Sequence, residues 1–212
     1  MSNEGFDHIV YSKDVLEFVT IANEYCNFIE QIDSYTRKDF IFKLQKFFPL
    51  LYLKASLVPK IDDLLEDATE KFVTEEDYNF LHNKLLTKLG EHDAYQEIFE
   101  EYAVDTEDSI SASISENIVD IYQDLKDFIL AYRIGTLEVM NDALYECQQN
   151  FEQYWGQRLV NALRAVHRLV FGNVNLDEEE LKTPKIKSED DEPVSKDWIL
   201  SQQFKSFRGE SE

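Results

Sequence analysis

Four carboxylates, Glu116, Asp120, Asp124 and Asp127, follow one another at steps of four, four and three residues. That spacing puts them along one stripe of a helix. So arranged, they can present a recognition surface to a basic partner or a weak site for a divalent cation. The plainer reading is the solvated side of an amphipathic helix whose apolar side carries Ile121, Leu125 and Phe128. It is preferred because any such helix needs a polar face. Further on, Trp155 stands beside Gly156 and close to Arg158. These can line a groove in which the guanidinium holds an acid or stacks on the indole. Here too the plainer reading is preferred: the indole packs in the core and the arginine pairs with the acid stripe.

Metal chemistry finds little support in the spacing. A carboxylate-bridged centre in a bundle needs Glu-x-x-His pairs, yet the residues three before His8, His82, His92 and His167 are Gly5, Asn79, Leu89 and Arg164. His-x-x-x-His and Cys-x-x-Cys are absent as well, so a zinc site would need scattered ligands. The six glycines are isolated and form no phosphate-cradling turn. No catalytic residue, metal ligand or cofactor is assigned. One rival arrangement stays open, an enzyme or metal-binding site between the first, fourth and fifth helices built from Glu24, Asp120, Asp124 and Arg158. It requires a concave pocket with buried carboxylates of perturbed protonation.

Charge is the strongest signal. Residues 61–127 contain twenty acids against four bases, whereas residues 1–60 have eight against seven and 128–172 four against four. Residues 173–212 add eleven acids and six bases, for a net charge of −22. Direct nucleic-acid binding is opposed, since phosphate contacts rely on clustered Lys and Arg. A basic protein would instead be steered toward the chain. Mimicry of nucleic acid is a special case of that idea.

These residues must be positioned by helices. The 212 residues are 43% apolar, with 15 Phe and 11 Tyr, enough for a core. Six glycines and four prolines are too few for a sandwich or barrel of this length. The expected fold is all-α, a bundle of about five main helices with a kinked second helix, a long fifth helix and an acidic C-terminal tail. Cys26 and Cys147 fall on apolar stripes, as buried thiols do in a reducing compartment. The opening MSNEGFDHIVYSKD has neither basic nor apolar signal regions. The longest apolar run, Phe47 to Leu53, is interrupted by Pro49 and is far short of the roughly 20 residues a span needs. A cytoplasmic protein without membrane contact is expected, and its oligomeric state is not legible.

Helix one is expected from a Ser12 cap to about Gln31, and helix two from a Thr36 cap with Asp39 at the capping-box position. Pro49 removes a donor inside helix two, which predicts a kink or short break near Phe48. Ile61 to Glu66 reads either as a helical turn or as an irregular acidic loop. Thr74-Glu75-Glu76-Asp77 starts helix three and Gly90 stops it. Residues 91–112, with Tyr95, Ile98, Phe99, Tyr102 and Val104, read as an ordered connection docked by its aromatics. Ser113 or Ser115 opens helix four, which Gly135 ends. Helix five runs from about Leu137 to Phe171, roughly 50 Å if continuous, with Gly156 marking a bend or a close neighbour. Its acids Glu138, Asp142 and Glu146 come early and Arg158, Arg164 and Arg168 late, a polarity that offsets the helix dipole. The domain is expected over 9–172. The acidic tail, 173–212, is expected to be flexible and to end in an apolar cluster of Trp198, Ile199, Leu200, Phe204 and Phe207.

The segments YSKDVLEFVTIANEYCNFIE (11–30), SISENIVDIYQDLKDFI (113–129) and FEQYWGQRLVNALRAVHRL (151–169) resemble an uncharacterised family of small acidic proteins from Bacteroidetes, a domain of unknown function. The resemblance covers residues 9 to about 170 and leaves out most of the tail. It implies a helical domain, with no established activity and no catalytic residue. The functional expectation is therefore a non-enzymatic binding or regulatory module that engages a basic protein partner. The candidate residues are Glu116, Asp120, Asp124, Asp127, Trp155 and Arg158.

Overall fold

The computed structural model describes residues 8–65, 69–97 and 110–177. Helical periodicity in the sequence becomes helices almost throughout. After a 3-10 turn at Ile9–Tyr11, α1 spans Lys13–Glu30 and buries Val15, Phe18, Ala22, Tyr25 and Ile29. Ser12 holds the N-cap position, but its hydroxyl makes no cap bond. Thr36 does cap α2, Arg37–Ser56, its hydroxyl accepting from the Asp39 amide. Pro49 lies inside α2 without ending it. Of the kink or short break expected near Phe48, the break does not occur, and the burial of Phe48 and Leu51 on either side of the proline gives the packing that carries a helix past one missing bond.

Residues 57–65 and 69–74 form an irregular strap between α2 and α3. The Ile61 segment is thus a loop and not a helical turn. Thr74 and Asp77 then close a capping box on α3, Glu75–Leu89. Gly90 ends it at φ 57°, a backbone conformation that suits glycine. Two short antiparallel strands follow, β1 (Ala94–Glu97) and β2 (Ile110–Ser113), with Ala94 opposite Ser113 and Glu97 opposite Ile110. Tyr95 packs partly buried on the core. Ile98, Phe99, Tyr102 and Val104 lie outside the described residues.

Ser113 caps α4, Ile114–Ile134, and Gly135 at φ 88° stops it. The expected fifth helix is one helical run in three parts: α5 (Leu137–Asn150), a π turn (Phe151–Trp155) and α6 (Gly156–Phe171). A Cβ on Gly156 would collide with the Phe151 carbonyl oxygen and lie 2.9 Å from its ring. The glycine therefore serves the wider π turn.

α4 is the central rod, with α5, α1, α6 and α3 all packed against it, while α2 packs on α6 and α1. Phe28 stacks on both Phe40 and Phe47 at 4.9 Å. The Tyr25 hydroxyl donates to the Ile118 carbonyl at 3.1 Å. Cys26 and Cys147 are free and buried. The chain continues on the bundle past residue 172: Leu176 is buried and Asp177 pairs with Lys38 at 2.8 Å. The expectations for 178–212, including the Trp198 to Phe207 cluster, fall outside the described residues. Among the described residues no helix is long and apolar enough to cross a membrane.

Candidate functional site

Because α4 is surrounded, its acid stripe cannot be a solvated face. Glu116 alone is exposed; Asp120 and Asp127 are buried, at 9% and 6%, and Asp124 is half-buried. Each inward carboxylate meets donors. Asp120 accepts from the Tyr78 hydroxyl of α3 at 2.8 Å and the Tyr154 hydroxyl of the π turn at 2.7 Å. Arg158 Nε lies 3.8 Å away. Burial, reinforced by the bond to Asp120, pushes Tyr154 up to about 12 and Tyr78 well above the ordinary phenol range. Both phenols therefore stay protonated and donate. With one phenol on each oxygen, Asp120 ties α3 and the π turn to α4.

Asp124 accepts from Asn150 Nδ2 at 2.8 Å. Burial pushes its carboxyl up to about 6, with Asn150 and Lys71 pulling it down and Asp127 and Asp120 adding to the rise. It therefore changes protonation close to neutral pH. Asp127 is raised by burial too, against the pull of the two amides it holds. Its Oδ1 accepts from the Phe72 and Val73 amides at 2.8 and 2.9 Å.

Those two amides belong to the strap, and α5 holds the rest of it in the same manner. Asp142, 4% exposed, accepts from the Leu64 and Leu65 amides, both at 2.7 Å. Asn141 donates to the Asp62 carbonyl at 2.8 Å, and Gln148 to the Val58 carbonyl at 3.0 Å. Glu146 takes the Thr69 hydroxyl and the Lys71 ammonium. Although burial works against it, these two bring the Glu146 carboxyl below its ordinary value. The strap is thus fixed largely through its backbone, while Leu64 and Leu65 stay exposed. Asp93 does the equivalent for β2 and α4, accepting from the Ser113 hydroxyl and the Ser115 amide at 2.7 Å each.

Trp155 is wholly buried, and its Nε1 donates to the Cys147 carbonyl at 3.3 Å. Arg158 stacks on Tyr154 rather than on the indole, 5.0 Å from the ring centre, and donates to Asn117 Oδ1 at 3.2 Å. The tryptophan therefore lines no groove with Arg158. Of the rival set, Asp120, Asp124 and Arg158 converge, whereas Glu24 is exposed on α1. Among the described residues no group of three or more His, Cys, Asp or Glu side chains is placed to hold a metal ion.

Sequence reasoning missed Tyr78, Tyr154, Asp93, Asp142 and Glu146. Asp142 and Glu146 read as dipole compensation near the start of a helix, and only the strap lying over them reveals their role. Tyr78 falls on an apolar stripe, where its hydroxyl was the one available clue.

The crystal structure of protein BF1032 from Bacteroides fragilis is similar to this chain, with 43% sequence identity over 76% of this chain and 95% of that one and a TM-score of 0.68. No curated protein matches. A family model described as a domain of unknown function, DUF5063, matches residues 9–172. That span takes in every helix described above, and the chain belongs to this family.

Proposed function

We propose that the protein is a non-enzymatic binding or regulatory module that engages a cationic surface of another protein. One observation carries this reading: among the described residues of 61–127 every Lys is engaged, while many acids face water. Lys71 pairs with Glu146, Lys84 with Asp33 and Lys126 with Glu30, and Lys88 donates to the Tyr35 carbonyl. Asp62, Asp63, Glu70, Glu75, Glu76, Glu91 and Glu116 are exposed. On α3 Glu75 and Glu76 sit beside Phe80, 45% exposed; the Lys84 ammonium lies over one face of that ring at 4.5 Å, so a partner's Lys or Arg would meet the carboxylates and the ring's remaining surface. Of the residues first considered, Glu116 belongs to this surface. Asp120, Asp124, Asp127, Trp155 and Arg158 support it from within.

The test is affinity capture with the tagged protein at about 50 and about 300 mM salt, alongside Glu75→Lys/Glu76→Lys/Glu116→Lys. A partner with a basic surface should be retained at low salt, released at the higher salt and lost from the variant. Capture unaffected by salt and by charge reversal would sink the reading.

The rival reading, an enzyme or metal-binding site on the inward carboxylates, has the convergence of Asp120, Asp124 and Arg158 in its favour. Against it, both oxygens of Asp120 already accept phenol hydroxyls. Elemental analysis of the purified protein separates the two, since a stoichiometric metal lost on Asp124→Asn would favour the rival.

A further inference from the structure

Cations on this acidic chain are few, and α6 gathers three arginines and a histidine with no acid at all. Arg158 is committed to Asp120 and Asn117, but the other two arginines face a different place. Arg164 and Arg168 line a cleft of about 400 Å³ between α6, β1 and the 3-10 turn Gly90–His92. His92 lines it too, and among the described residues no Asp or Glu does. The Arg168 side chain makes no hydrogen bond or ion pair among the described residues, although its carbonyl accepts from the Gly172 amide. Arg164 gives one guanidinium nitrogen to the Gln96 carbonyl at 2.8 Å, which holds the side chain against β1 and leaves its other donors. The Nε2 of His92 is buried without a hydrogen-bond partner; the carboxylate of Glu91 is 3.9 Å away, beyond hydrogen-bond reach.

On a chain of net charge −22, a concave surface lined by two guanidiniums and an imidazole and, among the described residues, by no carboxylate is the reverse of what composition would produce. Both arginines are solvent-exposed, so an oxyanion would replace water on them; what favours it is the arginine fork, which matches phosphate and carboxylate oxygens. Ile114, Leu169 and Val174 give the cleft apolar walls. Its volume is at the lower end for small-molecule sites.

We propose that this cleft is a binding site for a small oxyanion, a phosphate- or carboxylate-bearing metabolite with a short apolar body, held by Arg164, Arg168 and His92. The proposal is independent of the acidic docking surface. The same chemistry exists in the chain's own acidic segment, Glu178-Glu179-Glu180, so the test must separate the two sources.

Calorimetric titration of the full chain with inorganic phosphate and with pyrophosphate, at constant ionic strength, should show saturable binding. Arg164→Gln and Arg168→Gln should each weaken it by about tenfold or more, and Arg168→Lys by less, since it keeps the charge but not the fork. Arg133→Gln removes the same charge elsewhere and should leave affinity within about twofold. All four variants are checked for an unchanged thermal unfolding curve. Glu178→Gln/Glu179→Gln/Glu180→Gln should improve phosphate affinity by about threefold at most, the size of a diffuse charge effect. A larger gain would mean that the chain's own acids occupy the cleft, and would overturn the proposal. Absence of saturable binding, or equal losses in Arg133→Gln and Arg168→Gln, would overturn it as well.

Discussion

Asp124 is where a single residue most clearly departs from what its type suggests. A carboxyl whose folded pKa stands at about 6, against about 3.9 unfolded, takes up its proton more readily in the folded state. The folded state is therefore favoured below that window and loses this advantage as pH rises from about 4 through 6. Asp124→Asn keeps an oxygen for Asn150 and removes the charge. It should raise stability at pH 7.5 by about 1 to 3 kcal/mol, with most of the gain gone by about pH 4. Chemical denaturation of both proteins at the two pH values checks this, and a gain independent of pH would place the cause elsewhere. Asp142 acts in the opposite direction. Asp142→Ala leaves the Leu64 and Leu65 amides without their acceptor and should destabilise by about 2 to 3 kcal/mol. Faster hydrogen exchange at those two amides than at Tyr25 would localise the loss.

At the scale of elements, residues that speak to their own helix were legible and residues that speak across the fold were not. Thr74 with Asp77, Ser113, Gly90 and Gly135 set helix ends through local geometry, and each was readable in place. The inward turn of Asp120 and Asp127 was not, because periodicity places residues on a face without saying what covers that face. Here α3 and a non-helical strap cover it, and although Val58, Ile61, Phe72 and Val73 of the strap pack on the core, the backbone amides that reach the carboxylates leave no mark in the sequence. The Trp155-Gly156 pair shows the same limit: glycine announced a constraint, but the π turn behind it depends on Phe151 five residues earlier. This gives a prediction with a sign. In an ordinary helix interior, glycine to alanine gains about 1 kcal/mol. In this π turn the added methyl meets the Phe151 carbonyl and ring, so Gly156→Ala should instead cost about 1 to 3 kcal/mol. A thermal melt decides which.

Across the whole molecule, two populations of acids, which composition cannot distinguish, stand out among the described residues. One set, Asp93, Asp120, Asp127 and Asp142, is buried and accepts hydrogen bonds that tie strap, hairpin and helices to the bundle. The other lies in water at Asp62, Asp63, Glu70, Glu75, Glu76, Glu91 and Glu116, where mutual repulsion makes it a liability to folding and would favour a cationic partner. Two triple variants that remove the same formal charge separate them. Thermal unfolding at pH 7.5 should show Asp93→Asn/Asp120→Asn/Asp142→Asn, each of which puts an amide nitrogen where an oxygen accepts a hydrogen bond, melting lower by roughly 10 °C or more. Asp63→Asn/Glu70→Gln/Glu91→Gln should move the midpoint by no more than about 4 °C, and upward. Equal shifts in the two variants, or a larger loss from the exposed set, would contradict the division on which the account rests.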